Sequence, residues 1–379
     1  MVNKRRVYAI GDAFGSYRAR VLLEFLASSP DYVFHHNDPK YLTANSRTFI
    51  KRGIFKVARH LDRIFNLYKL VIADVVYVLP MATLSTLEYL TVKLLKKRMI
   101  YEFYISQYDT YVNDRQTVAK RSLAAKRLLS KDRHLVDESN VVVFLNKAEG
   151  EYYLKIIGRE EISQKSLYIP LATNKKMQGK MPFVHGNSQT LTLCWWGTFI
   201  PLHGLDKIIH AAKYLQDMGV NFKLHLFGTS EEKSLPYQKQ ISELNLDSSV
   251  FIDNDKNFAD KSLDNFLIEY CDVAFGNFGD SDKAKTVMIN KVVEAASMRF
   301  PVISQRTKAL EEYFSEGESI LFCDSTPQAI ADKVVEAIER KDSLKDVANG
   351  AYQLYAQRFT KEAYLRDIVK VLSDVCQSK

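Results

Sequence analysis

Short apolar runs rich in Val, Ile, Tyr and Phe alternate with helical patterns along this chain, and that alternation limits the possible folds more than any other feature. In the first half the strand-like runs are Arg6–Ile10, Val71–Leu79, Met99–Ile105 and Val141–Asn146, with a helical pattern over Tyr17–Leu26. In the second half Leu191–Gly197 leads through a turn to a helix over Leu205–Met218. Phe222–Gly228 follows, then a helix around Tyr237–Leu244 and the short runs VFIDN, DVAFGNF (Asp272–Phe278), PVISQ and SILFC, with a helix over Lys291–Met298. Strands alternating with helices in this way argue for a parallel sheet covered by helices. Between the two halves, residues 173–190 are polar, aperiodic and carry glycines and a proline, which reads as a linker. The expected organisation is therefore a first domain over 1–172, the linker over 173–190, a second domain over 191–359, and a helix within 360–379 that packs back toward the first domain.

The 379 residues suffice for two cores without staples, and 46% hydrophobic with 26% charged residues is ordinary globular composition. Cys194, Cys271, Cys323 and Cys376 are widely spaced and form no CxxC pair, so neither a disulfide framework nor a zinc site is implied. The longest apolar stretch, Leu70–Leu84, is interrupted by Asp74 and Pro80 and is too short to span a bilayer. No targeting segment is read, and a cytoplasmic setting is expected. Charge is divided unevenly. Residues 1–180 hold 31 basic and 17 acidic side chains, a surplus of +14, whereas residues 181–379 hold 22 and 28, a balance of −6. The first half should face something anionic.

Six segments resemble GT-B glycosyltransferases of the family 4 type. They are WGTFIPLHGLDKIIHAAKYL (Trp196–Leu215), FKLHLFG (Phe222–Gly228), DVAFGNFGDSDKAK (Asp272–Lys285), NKVVEAASMRFPVIS (Asn290–Ser304), EFYISQYDTYVNDR (Glu102–Arg115) and YIPLATN (Tyr168–Asn174). The resemblance implies an α/β fold of two Rossmann-like domains facing across a cleft, the first for the acceptor and the second for the nucleotide-sugar donor. It implies a retaining hexosyltransferase that moves a sugar from a nucleoside diphosphate to a saccharide or lipid-linked acceptor, in bacterial surface polysaccharide or lipopolysaccharide assembly. The sequence departs from the family pattern at Thr198 and His203, where the family usually carries an Arg and a Lys, and at Thr286, where it carries the first of two glutamates. Glu294 matches the second. A nucleotide-sugar epimerase of the same architecture and a non-catalytic binding relative are the alternatives.

Transfer from a diphosphate donor requires a grip on the ribose, stabilisation of the leaving charge, and a positioned acceptor hydroxyl. Gly197, Thr198, Gly204 and Gly228 mark turns whose N–H groups suit a diphosphate. Lys283, Lys285 and Lys291 supply point charges, Lys283 being the expected catalytic cation. His203 would add a proton-dependent contact. Glu294, set among small apolar residues, is suited to ribose hydroxyls. In the first domain, Asp109 is the candidate for orienting the acceptor, while Gly15, Arg18, Asp114 and Arg115 would line the cleft. The Asp280-Ser281-Asp282 triplet has a metal-binding form, yet the resemblance implies protein cations instead, so neither metal nor cofactor is expected. A basic amphipathic stretch over Ile50–Leu67, with Lys96–Arg98 and Lys120–Arg133, points to an anionic membrane surface, giving the enzyme a peripheral place on the inner face of the membrane. No nucleic-acid module is recognised.

Overall fold

In the computed structural model, residues 4–13, 16–37, 61, 64–174 and 190–377 are described. The chain forms two compact units. The first comprises Met1–Ala172 with Lys361–Lys379, the second Thr173–Thr360. Each is a six-stranded sheet whose strand pairs are all parallel, with helices between successive strands.

The first sheet has the order β2-β1-β3-β4-β5-β6. Its strands are β1 (Arg5–Ile10), β2 (Tyr32–Asn37), β3 (Val75–Val78), β4 (Arg98–Glu102), β5 (Val141–Phe144) and β6 (Ser166–Tyr168). β3 is fully buried and consists of Val and Tyr, as a central parallel strand should. It is shorter than the expected Val71–Leu79. A helix runs over 64–72, and the Asp74 carboxylate accepts the Arg6 N–H at 2.7 Å, so the chain joins the ladder only after Asp74. Helix Tyr17–Ser28 starts where the Ser16 hydroxyl accepts the Ala19 N–H. The C-terminal helix Lys361–Gln377 buries Tyr364, Ile368, Leu372 and Val375 in this unit's core. Most of the basic Ile50–Leu67 stretch lies outside the described residues.

The second sheet has the order β12-β11-β10-β7-β8-β9. Its strands are β7 (Leu191–Trp196), β8 (Phe222–Phe227), β9 (Val250–Asp253), β10 (Val273–Phe275), β11 (Val302–Gln305) and β12 (Leu321–Cys323). The order reverses between β7 and β10, and in such sheets ligands bind beyond the strand C-termini at that switch point. β10 is shorter than the expected Asp272–Phe278 for the same reason. Beyond Phe275 the chain leaves β7 but stays bonded to β11, with the Gly276 N–H donating to Ile303 O at 2.8 Å and the Gln305 N–H to Asn277 O at 3.0 Å. Helix Glu231–Glu243 begins at its Ser230 cap, earlier than the expected Tyr237, and runs through Pro236.

Candidate active site

The C-terminal end of β7 supplies two tryptophans and then Gly197. Trp195 is buried, and its ring lies 5.7 Å from both the Phe199 and the His203 rings. The Trp196 indole N–H donates to Glu294 Oε2 at 2.8 Å, which fixes the carboxylate of a partly exposed glutamate. The chain then makes a short 3-10 turn, Pro201–His203, and enters helix Leu205–Asp217 through Gly204. Gly204 has φ +60°, and a Cβ there would stand 2.4 Å from Phe278 O. Only glycine allows this turn to lie against the loop after β10. The turn is bonded to that loop by the Phe278 N–H, which donates to His203 O at 3.1 Å, and by Lys207 Nζ, which donates to Phe278 O at 3.1 Å.

The loop after β10 is held just as firmly. The Asn277 N–H donates to Ser304 Oγ at 3.1 Å, Asn277 Nδ2 to Ala284 O at 3.0 Å, and Gln305 Nε2 to Gly279 O at 2.9 Å. Ser281 caps the one-turn helix Asp282–Thr286, which carries Lys283, buried, and Lys285, exposed. Asp280 is taken by Lys207, whose Nζ lies 2.5 Å from Oδ1. That ion pair holds the Asp280 carboxyl below its ordinary range.

Helix Asn290–Met298 closes the site. Its cap, Ile289, offers no side-chain hydrogen bond, so its first N–H groups are not satisfied by a capping side chain. Lys291 is the second residue of this helix and is 5% exposed. Its Nζ stands 3.8 Å above the Trp195 ring and 3.2 Å from where a Cβ of Gly197 would be. Among the described residues it has no hydrogen-bond partner. Burial pushes its amine well below the ordinary lysine range, with Glu294 acting in the opposite sense. Burial lowers the His203 imidazole well below its ordinary range, and a charge on Lys291 would lower it further. The structure thus corrects the expectation for His203. It is a neutral imidazole across the physiological range and not a proton-dependent cation.

Gly197, His203, Gly204, Lys291 and Glu294 are therefore brought together around Trp195 and Trp196. The loop bearing Lys283 and Lys285 is bonded to the same turn. Thr198 is exposed beside Gly197. Gly228, at the end of β8, is buried against Phe199, with a Cβ position only 2.0 Å from that ring, so only glycine fits this strand end. Sequence reasoning missed the two tryptophans and Asn277. An aromatic pair immediately before a strand-ending glycine was the available signal.

The first unit corrects two further expectations. Arg18 does not offer its guanidinium to a ligand. It is 2% exposed, pairs with Glu102 at 2.6 Å, donates to Ile169 O at 2.8 Å, and lies 4.6 Å over the Tyr364 ring. Asp109 is wholly buried at the start of the π-helical turn Asp109–Asp114. Its Oδ1 accepts from Tyr152 Oη at 2.9 Å and from Asn113 Nδ2 at 3.0 Å, so it supports the turn instead of meeting an acceptor. Asp114 and Arg115, at the other end of that turn, are exposed. Gly15 lies outside the described residues.

Residues 177–354 match the family model described as glycosyl transferases group 1. The chain is a glycosyltransferase of the GT-B fold. No curated protein matches its sequence. Among solved structures the glycosyltransferase is similar to Anabaena HepE in complex with UDP and glucose, at 12% identity and a TM-score of 0.65, covering 98% of this chain and 100% of that one. It is similar to sucrose-phosphate synthase from Thermosynechococcus elongatus, at 13% identity and a TM-score of 0.67, covering 98% and 99%. It is also similar to the apo form of the lipopolysaccharide outer core galactosyltransferase WaaB, at 14% identity and a TM-score of 0.63, covering 97% and 99%. At such identities the likeness concerns the fold. The activity class rests on the family match over the second unit, the unit that carries the convergent site.

Proposed function

We propose that this glycosyltransferase is a retaining enzyme of the family 4 type. It transfers a hexosyl group from a nucleoside-diphosphate sugar to a hydroxyl on a saccharide or lipid-linked acceptor, in surface polysaccharide assembly. The observation that carries the reading is the convergence of Glu294, Lys291 and two helix N-termini at the β7/β10 switch point. In this reading Glu294, oriented by the Trp196 indole, accepts from the ribose hydroxyls. The N–H groups that begin helices Leu205–Asp217 and Asn290–Met298 face the diphosphate, with Lys283 and Lys285 on the adjoining loop. Charge growing on the leaving diphosphate is met by fixed donors, and no metal is required. That HepE was solved with UDP and glucose supports a nucleotide donor here.

The decisive test is Glu294→Gln. The amide keeps an oxygen for the Trp196 N–H but loses the charge that strengthens a ribose contact. Those contacts are present in ground and transition states alike, so donor affinity should fall by about tenfold to hundredfold, with a smaller effect on turnover. Calorimetric titration with nucleoside diphosphates measures this. Wild-type affinity in a folded variant removes Glu294 from the donor site. Product analysis with and without an added saccharide then separates transfer from conversion of the donor alone.

For the acceptor side we propose an anionic membrane surface. Among the described residues no helix is long and apolar enough to cross a membrane. The first unit nevertheless exposes Phe65 (74%), Tyr68, Ile72, Leu94 (77%) and Leu95, with Lys93 and Lys96 among them. Lys97 Nζ donates to the carbonyls of Val71 and Ala73, which holds residues 71–73 beside the start of β4. Apolar side chains inserted at the headgroup level, flanked by lysines, favour anionic lipid. Binding to phosphatidylglycerol vesicles that weakens with salt is expected. Equal partitioning onto neutral and anionic vesicles counts against it.

A further inference from the structure

A lysine ammonium is stable inside a protein only when acceptors or counter-charges surround it. Lys291 has little of either. Its Nζ rests on the Trp195 face at 3.8 Å, is 95% shielded with the rest of its side chain, and has no hydrogen-bond acceptor among the described residues. Among the described residues few charged or titratable groups face it. Its own helix contributes Glu294, the turn Pro201–His203 contributes His203, and the end of β7 contributes only Trp195 and Gly197. Glu294 is already bonded to the Trp196 indole, and His203 is neutral.

The amine nevertheless occupies the place where an anion would be best held. It projects against Gly197, where the missing side chain leaves the strand end open to it, and it belongs to the first turn of a nine-residue helix with no side-chain cap. The helix N-terminus favours negative charge there, while the same field disfavours a lone ammonium.

We propose that Lys291 binds the diphosphate of the donor and takes up a proton from water as it does so, so that donor binding at this site is proton-linked. The inference rests on the donor-site reading above and adds the protonation step to it. With no acceptor among the described residues and 5% exposure, the free protein favours the neutral amine RNH2, and burial shifts it in that direction. The arriving diphosphate supplies the missing acceptors and counter-charge, the amine becomes RNH3+, and one proton leaves the solvent for each ligand bound. The burial cost of the cation is thereby avoided in the resting protein, and the charge is present only when the leaving group needs it.

The test is calorimetric titration of the full chain with UDP and GDP, at about pH 8.5 where their diphosphates are already fully deprotonated, in buffers of different ionisation enthalpy. The wild type is expected to take up about one proton per bound probe. Lys291→Met should bind about tenfold to hundredfold more weakly with no proton uptake. Lys291→Arg, charged in both states, should also show none. Binding by the wild type without proton uptake overturns the inference and leaves the donor site standing, as does wild-type affinity in Lys291→Met. Should that variant fail to fold, the proton count of the wild type decides alone. Absence of binding by any probe to the folded wild type removes the donor-site reading itself, and the inference with it.

Discussion

Arg18→Met distinguishes a structural arginine from a ligand-binding one. In the structure this guanidinium ties its own helix to three other parts of the first unit. It pairs with Glu102 at the end of β4 at 2.6 Å, donates to Ile169 O at 2.8 Å, lies 4.6 Å over Tyr364 of the C-terminal helix, and belongs itself to the helix after β1. Glu102 also accepts from the Tyr77 hydroxyl at 2.6 Å and the Tyr364 hydroxyl at 2.9 Å, and all four side chains are buried. Methionine fills much of the stem's volume but leaves the Glu102 carboxylate buried without its cation. Removing one partner of such a pair costs about 3–5 kcal/mol. For a unit of this size each kcal/mol lowers the melting temperature by about 2–4 °C, so the transition of the first unit should fall by about 6–20 °C. Differential scanning calorimetry measures it. Glu102→Gln, which strands the arginine instead, should cause a loss of similar size. An unchanged melting temperature in Arg18→Met, together with lost transfer activity, would refute this account and return Arg18 to a ligand site.

Three further outcomes are expected. Gly204→Ala places a Cβ 2.4 Å from Phe278 O at φ +60°, and the combined backbone strain and overlap should destabilise the second unit by about 2–4 kcal/mol in urea denaturation, whereas an exposed, pliable turn would lose under about 1 kcal/mol. Burial raises the Asp132 carboxyl to about 6, with Ser106 and Tyr108 as hydrogen-bond donors opposing it. Because its folded value lies above its unfolded one, stability is greatest below about pH 4 for this group and is lost as pH rises through about 6. Asp132→Asn should remove that loss, a gain of up to about 3 kcal/mol at pH 8 relative to pH 4, and parallel pH–stability curves for wild type and variant would sink the argument. Since Asp280 is engaged by Lys207, transfer should survive EDTA, and loss of activity restored by Mn2+ would assign the Asp280–Asp282 loop to a metal.

Much of the fold was legible in the sequence because buried parallel strands are written as dense apolar runs and helices by their caps and periodicity. β1, β5, β7 and β8 and the helices Tyr17–Ser28, Leu205–Asp217 and Asn290–Met298 fall within a few residues of where the pattern puts them. The edge strands of the first sheet were less legible. β2 (YVFHHN) mixes histidines into its run, and β6 has three residues, so neither carries a distinct signal. The start of β3 and the end of β10 were set by partners far away in sequence, Arg6 in one case and Ile303 and Gln305 in the other.

For the site, the sequence determined which chemical groups are present: a glycine-ended strand, a carboxylate among small residues, and lysines near a helix start. Only tertiary structure decided their states. Arg18, Asp109 and Lys291 are all polar residues at the starts of helical turns, and nothing in their local sequence separates them. Glu102 and Tyr364 neutralise and cover the first, while Tyr152 and Asn113 bind the second. The third meets an indole face and no acceptor among the described residues. Charge, protonation and availability to a ligand depend on what surrounds a group in three dimensions. Those surroundings come from segments up to several hundred residues apart, which only the folded chain brings into contact.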